Sequence, residues 1–178
     1  MTDVRLVHTA GLEPGELGGL REMLDEAFEG QFSDEDFEHG LGGMHALVRR
    51  GGRIVAHGSV VQRRVVHGGR ALRTGYVEAV AVRAADRGQG LGHAVMGALE
   101  EVIGRAYVLG ALAASATGAP LYRSRGWTVW GGSLGALAPG GPVSLPEEGS
   151  TYLWVPPGGV LPDPAGPLWF DWRDGDVL

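Results

Sequence analysis

With 178 residues, 44% of them hydrophobic, the chain suits a single compact α/β domain spanning 1–178 with a sizeable core. It has no apolar run long enough to cross a bilayer, and the absence of cysteine excludes disulfides, thiolate metal sites and cysteine nucleophiles. All 15 basic residues are arginine, which excludes lysine Schiff-base chemistry, and the net charge of −6 disfavours nucleic acid while suiting either a cationic partner or plain solubility.

The opening residues lack the charged-then-apolar pattern of an export signal, which favours the cytoplasm. Residues 4–8 alternate weakly and predict an edge strand. Leu17, Leu20, Leu24, Ala27 and Phe28 form one stripe and predict a helix over 14–28, with Pro14 in its first turn. Ser33 and Asp36 have capping-box spacing at the head of a short acidic segment. Residues 45–50, 53–66 and 70–82 read as a three-strand meander turning on Gly51-Gly52 and Gly68-Gly69. The period then changes: Leu91, Val95, Leu99, Val102, Ile103 and Ala106 predict an amphipathic helix. A buried strand is expected at 108–114, a short helix at 117–125 stopped by Gly126, and strands at 127–130 and 152–155. Glycine and proline dominate the remainder, so 131–149 reads as a long loop with a little strand and 156–167 as an irregular arm.

The most informative stretch is a buried strand, then Arg87-Gly88-Gln89-Gly90-Leu91-Gly92, then a helix. Amides at a helix start lack intrahelical partners and sit at the positive end of the dipole. Glycines let a diphosphate approach the backbone, so the turn reads as an anion site to which Arg87 adds charge. In a chain with 32 glycines, an ordinary glycine-rich turn is the plain alternative. A dinucleotide fold would place its glycine turn after the first strand of a parallel unit, whereas this one follows an antiparallel meander. The Gly-Lys-Ser/Thr ending of a P-loop is missing. The six histidines show no paired-ligand spacing, so no metal is expected. Ser115 lacks a Gly-x-Ser-x-Gly setting.

Arg87, Gly90 and Gly92 match the Arg/Gln-x-x-Gly-x-Gly/Ala signature, and the chain resembles the GNAT acetyltransferases there. The run from Leu121 to Trp127, with Tyr122 ahead of Gly126-Trp127, resembles their second motif. Beyond these, Gly42-Gly43-Met44-His45-Ala46, Gly75-Tyr76-Val77-Glu78-Ala79-Val80-Ala81-Val82, Tyr107-Val108-Leu109-Gly110 and the tail from Asp171 to Asp176 are similar to the aminoglycoside 2′-N-acetyltransferase family. That resemblance covers nearly the whole chain. It implies an α+β GNAT fold: a mixed, mostly antiparallel sheet flanked by helices, with central strands splayed around acetyl-CoA. It also implies acetyl transfer to an aminoglycoside amine, a homodimer, and a role in antibiotic resistance or self-protection.

The resemblance further implies residue roles. Val80, Ala81 and Val82 would hold pantetheine by their backbone, and Arg87, Gly88, Gln89, Gly90, Leu91, Gly92 and His93 the pyrophosphate. Glu78 would contact substrate and take its proton through water, and Tyr122 would protonate the departing thiolate. Asp36, Asp176 and the carboxylate of Leu178 would bind substrate ammonium groups. Three substrate-facing positions depart from the family pattern: Gln31 replaces an aspartate, Ala113 a serine and Leu178 a tryptophan. A kasugamycin-like or other small amine, or a non-catalytic module binding acetyl-CoA or an antibiotic, are the other readings.

The chemistry has its own logic. An aliphatic ammonium of pKa ~10 leaves roughly one molecule in a thousand as free base at neutral pH, so a base beside the amine is useful. A backbone amide such as that of Val80 suits a developing oxyanion. A tyrosine titrating near ~10 suits a thiolate of pKa ~8.5. Taken alone, Glu78 on a meander strand could equally face solvent, and Tyr122 could be a core aromatic. The acidic run at 34–38 could be a solvated helix start and the acidic tail simply frayed. The tryptophans read as packing or pocket walls.

Overall fold

The computed structural model describes residues 2–146 and 150–178. They form two compact units, Met1–Val61 with Val77–Val102 and Gln62–Tyr76 with Ile103–Leu178. In the first unit, β1 (Arg5–His8) is followed by α1 (Pro14–Ala27), α2 (Asp34–His39), β2 (Met44–Arg50), β3 (Arg53–His67), β4 (Arg70–Val82) and α3 (Leu91–Ala106). Residues 62–67 of β3, 70–76 of β4 and 103–106 of α3 belong to the second unit. β1 pairs antiparallel with β2 and β2 with β3, while β4 lies beside β3. The Gly51-Gly52 and Gly68-Gly69 turns all have positive φ, which is the backbone a two-residue hairpin demands.

Both faces of the first unit's strands are covered. On one, α1 buries Leu20, Met23 and Leu24 in a cluster with Leu47, Ile54 and Ala81. On the other, a Cβ at Gly58 would come within 2.8 Å of Val95, 3.0 Å of Leu99 and 3.2 Å of Val80. Only glycine lets α3 settle there. Ser33 starts α2 as expected: its hydroxyl accepts from Asp36 N–H, and the Asp36 carboxylate accepts from Ser33 N–H, both at 3.0 Å.

The second unit continues with β5 (Leu109–Ala113), α4 (Ala119–Ser124), β6 (Thr128–Val129), β7 (Leu134–Ala138), β8 (Gly141–Leu145), β9 (Thr151–Trp154) and β10 (Leu168–Asp171). Its strands follow the order β6-β9-β5-β4-β3-β10-β7-β8. β4 and β5 are parallel, but the pairing covers only Thr74, Gly75 and Tyr76 against Leu109, Gly110 and Ala111. Gly126, at φ +83, ends the α4 segment.

Two expectations are corrected. The stretch read as a long loop contains the antiparallel β7–β8 hairpin, with β7 also parallel to β10; residues 147–149 lie outside the described residues. Leu134 and Ala136 are buried, as a strand requires. The glycine that disguised it is forced by packing, since a Cβ at Gly135 would fall 2.3 Å from the Trp169 ring. The tail is not frayed. Arg63, 3% exposed, donates from Nε to Asp171 Oδ1 (2.7 Å), from Nη2 to Asp171 O (2.7 Å) and from Nη1 to Val177 O (2.6 Å). Its guanidinium also lies 4.7 Å from the centre of the Tyr76 ring and 5.2 Å from that of Phe170.

Arg63→Leu leaves two carbonyls and a carboxylate without their donor. It should cost about 3 kcal/mol, because stranded buried polar groups keep their desolvation penalty. Urea unfolding will show a lower midpoint, and limited proteolysis will cut the tail first. An unchanged midpoint rejects the assignment.

Candidate active site

In the first unit, β4 carries Ala79 at φ +50, a conformation costly for a residue with a Cβ. Its carbonyl accepts from His57 Nδ1 at 2.8 Å. Val80, Ala81 and Val82 follow on the same strand. The chain then passes through a short helical turn, Ala84–Asp86, into the glycine turn and α3. Gly88 (φ +74) and Gly90 (φ +76) are left-handed, and no heavy atom lies within 4 Å of where a Cβ would sit on either. The helical ladder of α3 begins with Ala94 N–H to Gly90 O at 3.1 Å. Backbone amides in the first turn of a helix have no intrahelical acceptor as a rule. The residues expected to hold pyrophosphate thus run from an exposed turn, Arg87 to Gly90, into the positive end of a helix of 16 residues.

Arg87 is exposed but committed to the backbone. Its Nε donates to Val82 O (3.1 Å) and its Nη2 to Ala27 O (3.4 Å). A second cation at this turn, Arg50, was not singled out from sequence. Its Nη1 donates to Asp86 Oδ1 (2.9 Å) and Gln89 Oε1 (2.6 Å), bracing the turn from β2. The Arg50–Gln89 contact spans 39 positions, which no local pattern reveals.

The acidic segment belongs to the same unit. α2 ends at Gly40, where a Cβ would stand 3.1 Å from Ser59 Oγ and 3.9 Å from Glu78 Cβ. The helix carrying Asp34, Glu35, Asp36 and Glu38 therefore terminates against Glu78. One oxygen of Asp36 is taken by the Ser33 cap, and Asp34 pairs with Arg21 at 2.7 Å. Gln31 is exposed just after two left-handed residues, Glu29 and Gly30.

In the second unit, Tyr122 lies on α4, 7% exposed, with its ring 6.3 Å from those of Trp127 and Tyr152. Burial pushes its hydroxyl up to about 12, which corrects the expectation of a tyrosine titrating near ~10. The phenol is a weaker acid than expected and stays protonated throughout the neutral range. Ala113 ends β5 opposite Thr151, exposed. Asp176 is exposed and accepts from Leu178 N–H at 3.2 Å, so its carboxylate partly caps the C-terminal turn. The expected residues therefore divide between the units: Gln31, Asp36, Glu78, Val80, Ala81, Val82 and the 87–93 turn in the first, Ala113, Tyr122, Asp176 and Leu178 in the second.

Sequence reasoning missed a buried polar chain in the first unit. His45 Nδ1 and His57 Nε2 are 2.9 Å apart, and His45 Nε2 and Thr9 Oγ1 are 2.8 Å apart. Thr9 Oγ1 accepts from Gly42 N–H at 2.8 Å. Both imidazoles are buried, at 0% and 1% exposure. Burial lowers His57 to about 3 and His45 to about 4, so both rings are neutral at pH 7. The histidines lie 12 positions apart, and only the antiparallel pairing of β2 and β3 brings them together. Among the described residues, no group of three His, Asp or Glu is arranged to hold a metal.

Comparison with known proteins identifies the family and the fold. Residues 10–130 match the acetyltransferase (GNAT) domain family. An aminoglycoside 2′-N-acetyltransferase of Mycolicibacterium fortuitum is 51% identical over 176 residues, covering 97% of this chain and 90% of that protein. The crystal structure of a GNAT N-acetyltransferase (YhbS) from Escherichia coli in complex with CoA superposes with a TM-score of 0.67 at 17% identity, covering 97% of this chain and 90% of that one. An acetyltransferase from Brucella melitensis in complex with acetyl-CoA gives 0.60 at 14% identity, covering 93% and 96%. At these identities the two structures show the fold.

The buried histidines make stability pH-dependent. The unfolded chain binds a proton at His57 below pH ~6.5, and the folded chain does so only near 3. The stability is therefore whole above pH ~6.5 and falls as pH drops through that window, by about 2 kcal/mol at pH 5 for this ring alone. Urea unfolding at about pH 7.5 and about pH 5 measures it. His57→Asn should flatten the dependence, and equal slopes for the two proteins would refute the assignment.

Proposed function

Since the chain belongs to the GNAT superfamily and, within it, to the aminoglycoside 2′-N-acetyltransferase family, we propose that it transfers the acetyl group of acetyl-CoA to an amine, the 2′ amine in the first instance, of an aminoglycoside. The observation that carries this reading is the pair of features joined on β4: an amide-rich glycine turn at one end, and Glu78 facing an acidic helix three residues before Ala81. We read the whole chain as one catalytic domain.

The residues at hand fit coenzyme A. The turn at Gly88 and Gly90 is exposed, with no heavy atom within 4 Å of where a Cβ would sit on either glycine, and it leads into the N-terminus of α3, where phosphate oxygens would be favoured. Arg87, Gly88, Gln89, Gly90, Leu91, Gly92 and His93 would bind the pyrophosphate, with Arg50 keeping Gln89 in position. The backbone of Val80, Ala81 and Val82 would bind the pantetheine arm. Bound acetyl-CoA supplies an activated acyl carbon: the amine nitrogen forms the new C–N bond, the C–S bond breaks, the ammonium proton goes to a base and the thiolate takes up a proton.

Glu78 is the base, acting through a water molecule. Its carboxylate and the acidic face of α2 also draw a polycation into reach. Repulsion among the acceptor's own ammonium groups lowers the pKa of the reacting amine and eases the deprotonation. The Val80 amide donates to the acyl oxygen as charge develops there. Tyr122 gives its hydroxyl proton to the thiolate. With its pKa raised to about 12, it acts as a proton held in reserve and never as a base near pH 7. Asp36, Asp176 and the Leu178 carboxylate bind ammonium groups, and Gln31, Ala113 and Leu178 tune which aminoglycoside fits. The reading includes a homodimer in the cytoplasm acting in antibiotic resistance. Among the described residues no helix is long and apolar enough to cross a membrane.

The test is acetyl-CoA consumption across a panel of aminoglycosides, kasugamycin included, with mass spectrometry and NMR locating the acetylated amine. Absence of product from every member rejects the substrate assignment. Polyamine and peptide panels then distinguish another GNAT substrate from a binding module. Tyr122→Phe should lower kcat by about a hundredfold. Because the phenol titrates well above the assay range, the shape of the rate profile between pH 7 and 10 should stay the same. An alkaline limb lost in the variant would show that Tyr122 ionises in turnover. Glu78→Gln should remove the acidic limb of the profile, and retention of that limb would exclude Glu78 as the base.

A further inference from the structure

The buried histidine chain ends on the peptide that the proposed reaction uses. His57 Nδ1 lies 2.8 Å from Ala79 O, which can only accept, so the ring's single proton is on Nδ1. His57 Nε2 is then an acceptor and takes the Nδ1 proton of His45, 2.9 Å away. His45 Nε2 is in turn an acceptor and takes the Thr9 hydroxyl proton over 2.8 Å. Thr9 Oγ1 accepts from Gly42 N–H, which fixes the far end to the backbone. The Thr9 hydroxyl can also donate to Gly43 O, at the longer distance of 3.3 Å, so the shorter contact to His45 Nε2 sets its direction, and both ring protons point towards Ala79.

Ala79 is the left-handed residue on β4, and the Ala79–Val80 peptide is trans, as every described peptide is. In a planar trans peptide the N–H points opposite to the C=O. Whatever fixes the direction of the Ala79 carbonyl therefore fixes the direction of the Val80 amide. We propose that His57, locked in its Nδ1–H tautomer by His45 and Thr9, is a positioning residue that aims the Val80 amide at the acyl oxygen of acetyl-CoA by anchoring the opposite end of the same peptide. This rests on the acetyl-transfer reading above, and it adds residues from two other strands and a turn to the machinery. The interior location suits the role: a bond shielded from water is stiffer than one exposed to it. The left-handed Ala79 also needs a restraint against relaxing to the β region.

The experiment compares wild type with His57→Leu, which has no donor, His57→Asn, whose amide nitrogen occupies the Nδ1 position, and His57→Gln, whose amide reaches the Nε2 position instead. The first readout needs no acceptor. Isotope-edited infrared spectroscopy of bound, carbonyl-labelled acetyl-CoA reports how strongly the protein polarises the thioester carbonyl. Wild type should lower its stretching frequency relative to free acetyl-CoA. H57L and H57Q should lose most of that shift and H57N should keep most of it, with calorimetric coenzyme A affinity alike in all four. The second readout is turnover: kcat should fall on the order of tenfold to a hundredfold in H57L and H57Q, with KM for both substrates held and H57N close to wild type.

If H57L does not fold, H57Q against H57N decides the matter. An unchanged carbonyl shift in a folded H57L or H57Q overturns the proposal. So does equal loss in H57N and H57Q, which means packing and not the bond is responsible, and so does a wild type that shifts nothing or binds no acetyl-CoA. A His57-dependent shift in a protein that acetylates no aminoglycoside upholds this inference and rejects the substrate reading.

Discussion

The left-handed Ala79 departs from β geometry within β4, and a planar peptide carries a consequence to its neighbour. A strand in ordinary pairing would spend both polar groups of the Ala79–Val80 peptide on the ladder. Here the carbonyl accepts from a histidine side chain, and in a planar trans peptide that bond bears on the direction of the Val80 amide. Glu78 immediately precedes Ala79 and Val80 to Val82 immediately follow it. The proposed base, the amide donor and the pantetheine-binding backbone are thus placed by one local departure from β geometry, at the edge of an otherwise close-packed core.

Electrostatics in the first unit work by local arrangement against the overall charge. The chain carries −6, yet the reading requires a diphosphate at the turn beyond the C-terminal end of β4 and a polycation beside Glu78, shortly before that end. The two needs are met by different physics. Amides at the start of α3 offer directed donors and a helix dipole at contact range, where net charge, screened over about 8 Å at physiological ionic strength, matters little. The acidic residues of α2 act at longer range on an incoming cation. Arginines serve mostly as braces: Arg87 on Val82, Arg50 on Gln89, Arg83 between Ile54 O and Glu26, and Arg63 on the tail.

Much of the fold was legible because local pattern and tertiary role coincide. The α3 stripe predicts its bounds, the meander turns announce themselves as glycine pairs, and Ser33 with Asp36 marks the start of α2. The β7–β8 hairpin was obscured because composition there answers to a distant ring: Gly135 is small so that Trp169 can lie over it. The tail's anchoring was not legible because its anchor, Arg63, lies more than a hundred positions upstream. Tyr122 was recognisable as a motif residue, but its raised pKa was not, since burial is a property of the folded unit.

By itself the sequence determined the helix and strand periods, the glycine turn before α3, the acidic opening of α2 and the motifs that mark the family, because each depends on residues within a few positions of one another. Only the tertiary structure decided that Ala79 is left-handed, that Thr9, His45 and His57 form one directed chain onto its carbonyl, and that Arg50 braces Gln89. Those depend on strand register, which sets which side chains meet across a sheet, and register is fixed by the whole packed unit and not by any stretch of its sequence.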